Sequence, residues 1–170
     1  MKKHLILVGL PGSGKTTVGH RAAELLRTAF TDIDQIVVSA AGMPVAEVFA
    51  SQGEPQFRRL ERAAMEGAIA APPHVIAPGA GWVAEPGNLD AAAGALLIYL
   101  KIAPAAAAER LHGDATRPLL AGASPADRIA ELLARRESWY RRAGRELDAA
   151  APVEEVAAAV ARLARDEAGW

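Results

Sequence analysis

The 170-residue sequence predicts an α/β fold, a single domain over residues 1–170 built on a parallel sheet covered by helices on both faces. Three observations predict it. Short apolar runs alternate with longer helix-forming segments along the chain, the pattern of repeated strand–helix–strand units. The apolar run LILVG passes directly into the glycine-rich GLPGSGKTT at residues 9–17, a strand–loop–helix junction. Apolar residues make up 51% of the chain and many are alanine, which favours long helices.

The elements follow in order. Leu5–Val8 reads as a short buried strand and 17–26 as a helix. A weak strand at 29–33 precedes a helix from 35 to about 41. Residues 44–50 form a short helix and 54–70 a longer one. HVIA at 74–77 is a strand, followed by the turn-rich PGAG, and ALLIYLK at 95–101 is the strongest strand. Pro104 opens a helix to 111, the position where proline is tolerated. HGDATRPLLAGAS, about 112–124, is rich in Gly, Pro and Asp and reads as a mobile lid. A long helix over 124–144 takes Ser124 as its N-cap and Pro125 as its first residue. Residues 147–149 read as a last strand and 153–164 as a final helix.

Composition excludes several classes. With 19 basic and 20 acidic residues the net charge is −1, so no basic surface points to nucleic acid or an anionic membrane. The absence of cysteine removes disulfides, thiolate-bound zinc and thiol catalysis. The opening MKKHLILVGLPG resembles a signal peptide only superficially, because Pro11 and the glycine-rich loop end the apolar run too early. No stretch is long enough to span a bilayer. The expectation is a monomeric cytoplasmic protein that binds neither nucleic acid nor membrane.

Gly9, Gly14, Lys15 and Thr16 complete the phosphate-loop pattern G-x-x-x-x-G-K-[ST] in the strand-to-helix context it requires. Its glycines let backbone N–H groups surround phosphates, and the helix N-terminus adds partial positive charge. Lys15 is placed to reach the β- and γ-phosphates and Thr16 to ligate Mg²⁺. TDID then places Asp32 and Asp34 at the carboxyl end of a strand, where open α/β sheets bind ligands. Two apart on an extended segment, they project to one side. One can hold a metal and the other accept a proton, or Asp34 can cap the next helix.

Position 136 falls on the apolar stripe Ile129, Leu132, Leu133 and Tyr140, yet it is Arg136. Such an arginine finds an anion, forms an internal salt bridge or snorkels to the surface. Arg58 shares a flank with Met65 and Ile69, with Glu61 one turn away to hold it, whereas Arg59 and Arg62 face solvent. Arg117, in DATRPLL, is either a surface arginine or one that closes over a transferring phosphoryl group. Gly79 and Gly81 lie just past the third strand and permit close backbone approach to a ligand or make a plain turn. Trp82 walls a pocket or packs into the core.

Taken together, GLPGSGKTTVG, DID, GEPQFRRLE, PGAG, RLHGDATRPLL and RRESWYRRA resemble the shikimate kinase family in order and spacing, over about residues 4–160. The resemblance implies a phosphate-loop kinase fold, a three-layer α/β/α sandwich with five parallel strands and a lid. It implies ATP- and Mg²⁺-dependent phosphorylation of the 3-hydroxyl of shikimate. By position, Gly12, Ser13, Gly14, Lys15, Thr16 and Thr17 hold the ATP phosphates, and Arg110 flanks the adenine. Thr16 and Asp32 serve Mg²⁺. Asp34 binds the shikimate hydroxyls and acts as base, Arg58 and Arg136 bind the carboxylate, and Arg117 is the lid arginine, so that Lys15, Asp34 and Arg117 are the catalytic set. Gly79, Ala80 and Gly81 stand where the family has three glycines. Ala80 is one departure, with an alanine at a position where strain or crowding would weaken the acid site. Pro78 and Trp82 are a second, and the lack of an arginine in LDAAAPVEEV, 147–156, is a third. Two other readings share these residues: a related kinase acting on a different hydroxy acid, and a nucleotide-binding regulatory module without turnover.

Overall fold

The computed structural model describes residues 1–112 and 124–170. Five strands, β1 (Leu5–Val8), β2 (Phe30–Asp32), β3 (Val75–Ala77), β4 (Leu96–Lys101) and β5 (Glu146–Asp148), form one parallel sheet in the order β2-β3-β1-β4-β5. β1 is central, in register with β3 at Leu5↔Val75 and with β4 at Leu5↔Leu96. Successive strand residues face opposite sides, and Leu5, Ile6, Leu7 and Val8 are all buried. The sheet is therefore covered on both faces, which makes the molecule a three-layer α/β/α sandwich. Truncating a fully buried strand residue such as Leu7 to alanine would cost about 2–5 kcal/mol.

The helices among the described residues are α1 (Lys15–Leu26), α2 (Ile33–Ala41), α3 (Val45–Ala70), α4 (Asn88–Ala91), α5 (Pro104–Arg110), α6 (Pro125–Arg141) and α7 (Val153–Glu167). α1 packs on α7, α2 on α3 and α5 on α6. Val156, Ala157, Val160, Ala161 and Ala164 line the buried face of α7 at helical spacing. Their small side chains let α1 approach with its own Val18, Gly19, Ala22 and Ala23.

The alternation read from the sequence holds for every strand, with differences at the ends. α1 starts at Lys15 rather than 17, because the phosphate-loop lysine already belongs to the first turn. The second strand stops at Asp32, and Ile33 begins α2. The helices expected at 44–50 and 54–70 are α3, interrupted at Gly53, which has φ 80° and ψ 167°. Pro55 is accommodated just after that break, where the first turn of the new segment needs no amide hydrogen. Ser124 precedes α6 with Pro125 at the helix start, but its hydroxyl makes no capping hydrogen bond. A one-turn 3₁₀ segment at Trp82–Ala84 and the short α4 were not anticipated. Nearly all of the expected lid, including Arg117, lies outside the described residues. No single helix among the described residues is long and apolar enough to cross a membrane.

Candidate active site

Because the sheet is parallel, the carboxyl ends of β1, β2 and β3 share one edge, and the loops leaving them lie together there. The loop leaving β1 carries the phosphate-loop motif. Gly14 caps the N-terminus of the 12-residue α1 with φ 88°, a left-handed conformation that costs a residue with a Cβ about 1–2 kcal/mol. No acidic residue occupies the first turn of α1, so the positive end of the helix is not offset from within. Ser13 is fully buried, and its Oγ has no hydrogen-bond partner. Lys15 Nζ donates to the carbonyls of Gly9 (2.8 Å) and Leu10 (3.0 Å), which holds its charge over the loop. An orphaned hydroxyl, a helix N-terminus and a lysine facing one loop fit a phosphate chain.

Thr16 Oγ1 donates to Asp32 Oδ2 at 2.8 Å. The other carboxylate oxygen, Asp32 Oδ1, accepts from the backbone N–H of Asp34 at 3.0 Å and caps α2. The capping role weighed for Asp34 therefore belongs to Asp32. Nor do the two aspartates share an extended segment, since Asp34 lies in the first turn of α2. Asp34 Oδ1 instead stands next to Gly79, 3.3 Å from where that residue's Cβ would be. Thr16 and Asp32 offer hard oxygens to a cation, and no group of three or more His, Asp or Glu side chains suited to a metal exists among the described residues. That donor set fits Mg²⁺, which keeps waters and substrate phosphate oxygens as most of its ligands.

The arginines converge on the loop leaving β3. A Cβ at Gly81 would meet Arg58 Nη2 and Cζ and lie 3.1 Å from Arg136 Nη2, so two guanidiniums occupy the space a side chain would fill. A Cβ at Gly79 would meet Glu61 Oε1. Glu61, 1% exposed, accepts from Arg58 Nη1 at 2.7 Å, the pairing expected from their one-turn spacing. Burial lifts the Glu61 carboxyl above its ordinary range, helped by the charges of Asp34 and Glu85 and opposed by Arg58. Burial works against the Arg58 charge, yet Glu61, Glu54 and Glu85 leave its pKa raised. Arg136 Nη1 is buried without a hydrogen-bond partner. Of the fates open to an arginine on that apolar stripe, snorkelling and an internal salt bridge do not describe this nitrogen. Arg59 and Arg62 are exposed, as expected.

Two expected departures lose their structural basis. Ala80 is not among the residues with positive φ; Arg27 is the one non-glycine residue so described. The strain anticipated for alanine at position 80 is therefore absent. Trp82 is 2% exposed and packs into the core, with its carbonyl accepting from Asn88 Nδ2 at 2.8 Å, the second of the two placements open to it. Sequence reasoning also missed the hydroxyl of Tyr140. Read only as part of an apolar stripe, Tyr140 donates through Oη to the Ala80 carbonyl at 2.7 Å and stacks on Tyr99, with the rings 21° from parallel. Burial pushes the Tyr140 phenol up to about 12. Glu54 and Glu85, both paired with Arg58, were missed as well. Position 54 carried a helical-spacing signal; position 85 carried none. On the far side of the phosphate loop, Arg110 Nη2 donates to the carbonyl of Ala149 at 2.7 Å, tying α5 to the loop that lacks an arginine.

A family model described as shikimate kinase matches residues 11–164. A shikimate kinase of Mycobacterium avium is 41% identical over 143 residues, which are 84% of this chain and 81% of that protein. One from Mycobacterium tuberculosis is 40% identical over 142 residues, with the same shares covered. The structure described as shikimate kinase from Acinetobacter baumannii in complex with shikimate superposes with a TM-score of 0.93. It is 27% identical, over 98% of this chain and 94% of that one.

Proposed function

The chain belongs to the shikimate kinase family, and we propose that its site transfers the terminal phosphoryl group of ATP to the 3-hydroxyl of shikimate, giving shikimate 3-phosphate and ADP. The reaction is a step in aromatic amino acid biosynthesis. One observation carries this reading: the Arg58 and Arg136 guanidiniums meet at Gly81 while the Asp34 carboxylate stands at Gly79, two residues away. A small ring acid with one carboxylate and several hydroxyls suits that pairing, and the phosphate loop opens on the same sheet edge.

Each residue has a proposed part. Gly12, Ser13, Gly14, Lys15, Thr16 and Thr17 hold the nucleotide phosphates through backbone N–H groups, hydroxyls and the helix N-terminus. Lys15 exchanges its two loop carbonyls for phosphate oxygens and offsets the charge that grows on them during transfer. Thr16 and Asp32 would hold Mg²⁺, which when bound would neutralise phosphate charge. Arg58 and Arg136 take the acid's carboxylate in charge-assisted hydrogen bonds, which orients the ring. Asp34 accepts the proton of the attacking hydroxyl as the hydroxyl oxygen bonds to the terminal phosphorus and the bond from that phosphorus to the ADP oxygen breaks. Arg110 lies against the adenine side, and the family resemblance assigns Arg117 to the transferring phosphoryl group. A monomer is the proposed working unit.

A steady-state assay of ADP release, run with shikimate and with a panel of other hydroxy acids, tests the assignment. Turnover should require shikimate. Turnover only with another acid would point to a different acceptor, and ATP binding with no acceptor-dependent release would point to a module without catalysis.

A further inference from the structure

Arg58 faces more negative charge than its single positive charge can neutralise. Its Nη1 edge is taken by Glu61 at 2.7 Å, its Nη2 edge by Glu54 at 3.2 Å, and Glu85 Oε1 lies 3.5 Å from its Nε. These three carboxylates are not equivalent. Glu61 is sealed in the interior, and Glu54 is 60% exposed on the same helix, where solvent screens its pull. Glu85 comes from a different element, the turn after Trp82–Ala84, and is 32% exposed. At its distance the contact is an ion pair without a hydrogen bond, and Arg58 Nε has no hydrogen-bond partner. The Glu85 backbone is fixed by its bonds with Trp82 and Asn88, but its side chain, next to the exposed Pro86 and Gly87, is held to Arg58 by charge without a hydrogen bond and can swing away.

We propose that Glu85 is a specificity-determining residue that competes with the acceptor's carboxylate for Arg58, setting how strongly this site favours an acid over an uncharged polyol. The inference rests on the reading of Arg58 and Arg136 as the carboxylate site. An acid entering that site meets Arg136, whose Nη1 is buried and unpartnered, and must share Arg58 with a carboxylate already in place. Binding the acid then carries the cost either of releasing Glu85 to solvent or of holding it and the acid together near one guanidinium. An acceptor with no carboxylate carries no such cost.

The test compares Glu85→Gln, Glu54→Gln and Arg58→Ala by steady-state kinetics, and the double variant Arg58→Ala/Glu85→Gln with its parents. Glu85→Gln should lower KM for shikimate by roughly two- to fivefold, the span of a partly exposed ion pair. KM for ATP should stay put, and kcat should move less than the acid KM. Glu54→Gln should have a smaller effect. In the Arg58→Ala background the benefit of Glu85→Gln should vanish. A shikimate KM that is unchanged or raised by Glu85→Gln would overturn the proposal, as would a benefit that persists without Arg58. If Arg58→Ala itself leaves the acid KM unaltered, the carboxylate site is misassigned. If Arg58→Ala raises that KM while Glu85→Gln does nothing, only the competition is refuted.

Discussion

Replacing Gly81 with alanine should disable acid recognition while leaving the fold intact. Gly81 has φ −88° and ψ −10°, a conformation any residue adopts, so the added methyl brings no backbone strain. Removing a glycine also restricts the unfolded chain, worth about 0.4–1 kcal/mol toward stability. The three atoms nearest the methyl all belong to guanidiniums: Arg58 Nη2, Arg58 Cζ at 3.0 Å and Arg136 Nη2 at 3.1 Å. Both are ends of flexible side chains, but Arg58 is anchored to the buried Glu61 and cannot retreat without loosening that pair. At least one guanidinium must shift from the position that takes the acid. A hydrogen bond to a charged group is worth about 1.5–3 kcal/mol, so loss of one raises the shikimate KM about 10- to 100-fold. The ADP-release assay at varied shikimate and varied ATP measures the split, and thermal melting checks the fold. The ATP KM and the melting temperature should hold. A shikimate KM within about twofold of wild type, far below the expected loss, would refute the reading of Gly81 as room for the two arginines.

Three further outcomes follow from the same geometry. Lys15→Ala should cut kcat by about 10²–10³ with unchanged melting, the usual cost of one electrostatic group in transfer; more than a tenth of wild-type kcat would remove it from the mechanism. Tyr140→Phe should leave the Ala80 carbonyl without its 2.7 Å donor, costing about 1–3 kcal/mol of stability and raising the acid KM more than the ATP KM; equal changes in both would argue against a link between α6 and the acid site. His4 Nδ1 accepts the His74 backbone N–H at 3.4 Å, and His4 Nε2 faces the Ile69 carbonyl at 3.1 Å. Burial, with His74 beside it, lowers its pKa below the ordinary 6.5. The neutral ring's contribution is thus complete above that ordinary value and is lost as pH falls through the lowered one. Wild type should lose more melting temperature than His4→Gln on going from neutral to about pH 5, and equal losses would clear His4.

What the sequence could reveal was set by the range of the interactions involved. Strands showed because burial on both faces demands consecutive apolar residues, as in Leu5–Val8. The phosphate loop showed because its geometry is local, as did the Arg58–Glu61 pair one helical turn apart. The cap of α2 was read one aspartate late: Asp32 and Asp34 are chemically identical candidates two residues apart. Their roles are divided by contacts that pattern cannot show, Thr16 with Asp32 and Gly79 with Asp34. Trp82–Ala84 and α4 are single turns, too short to carry a period. Glu85 reaches Arg58 from another segment, so nothing near position 85 marks it. Ala80 suggested strain only on the assumption of a positive φ, and the backbone does not adopt one.

The bond from Arg110 to the carbonyl of Ala149 joins a side chain to the main chain, and that determines how each end tolerates mutation. Any residue at 149 supplies the same carbonyl, but Ala149 is itself buried in the core, so only side chains of its size keep the contact without overpacking. Position 110 is restricted differently, because its long guanidinium reach is the whole contact. A saturation library across both sites should therefore be limited by size at 149 and by reach and charge at 110.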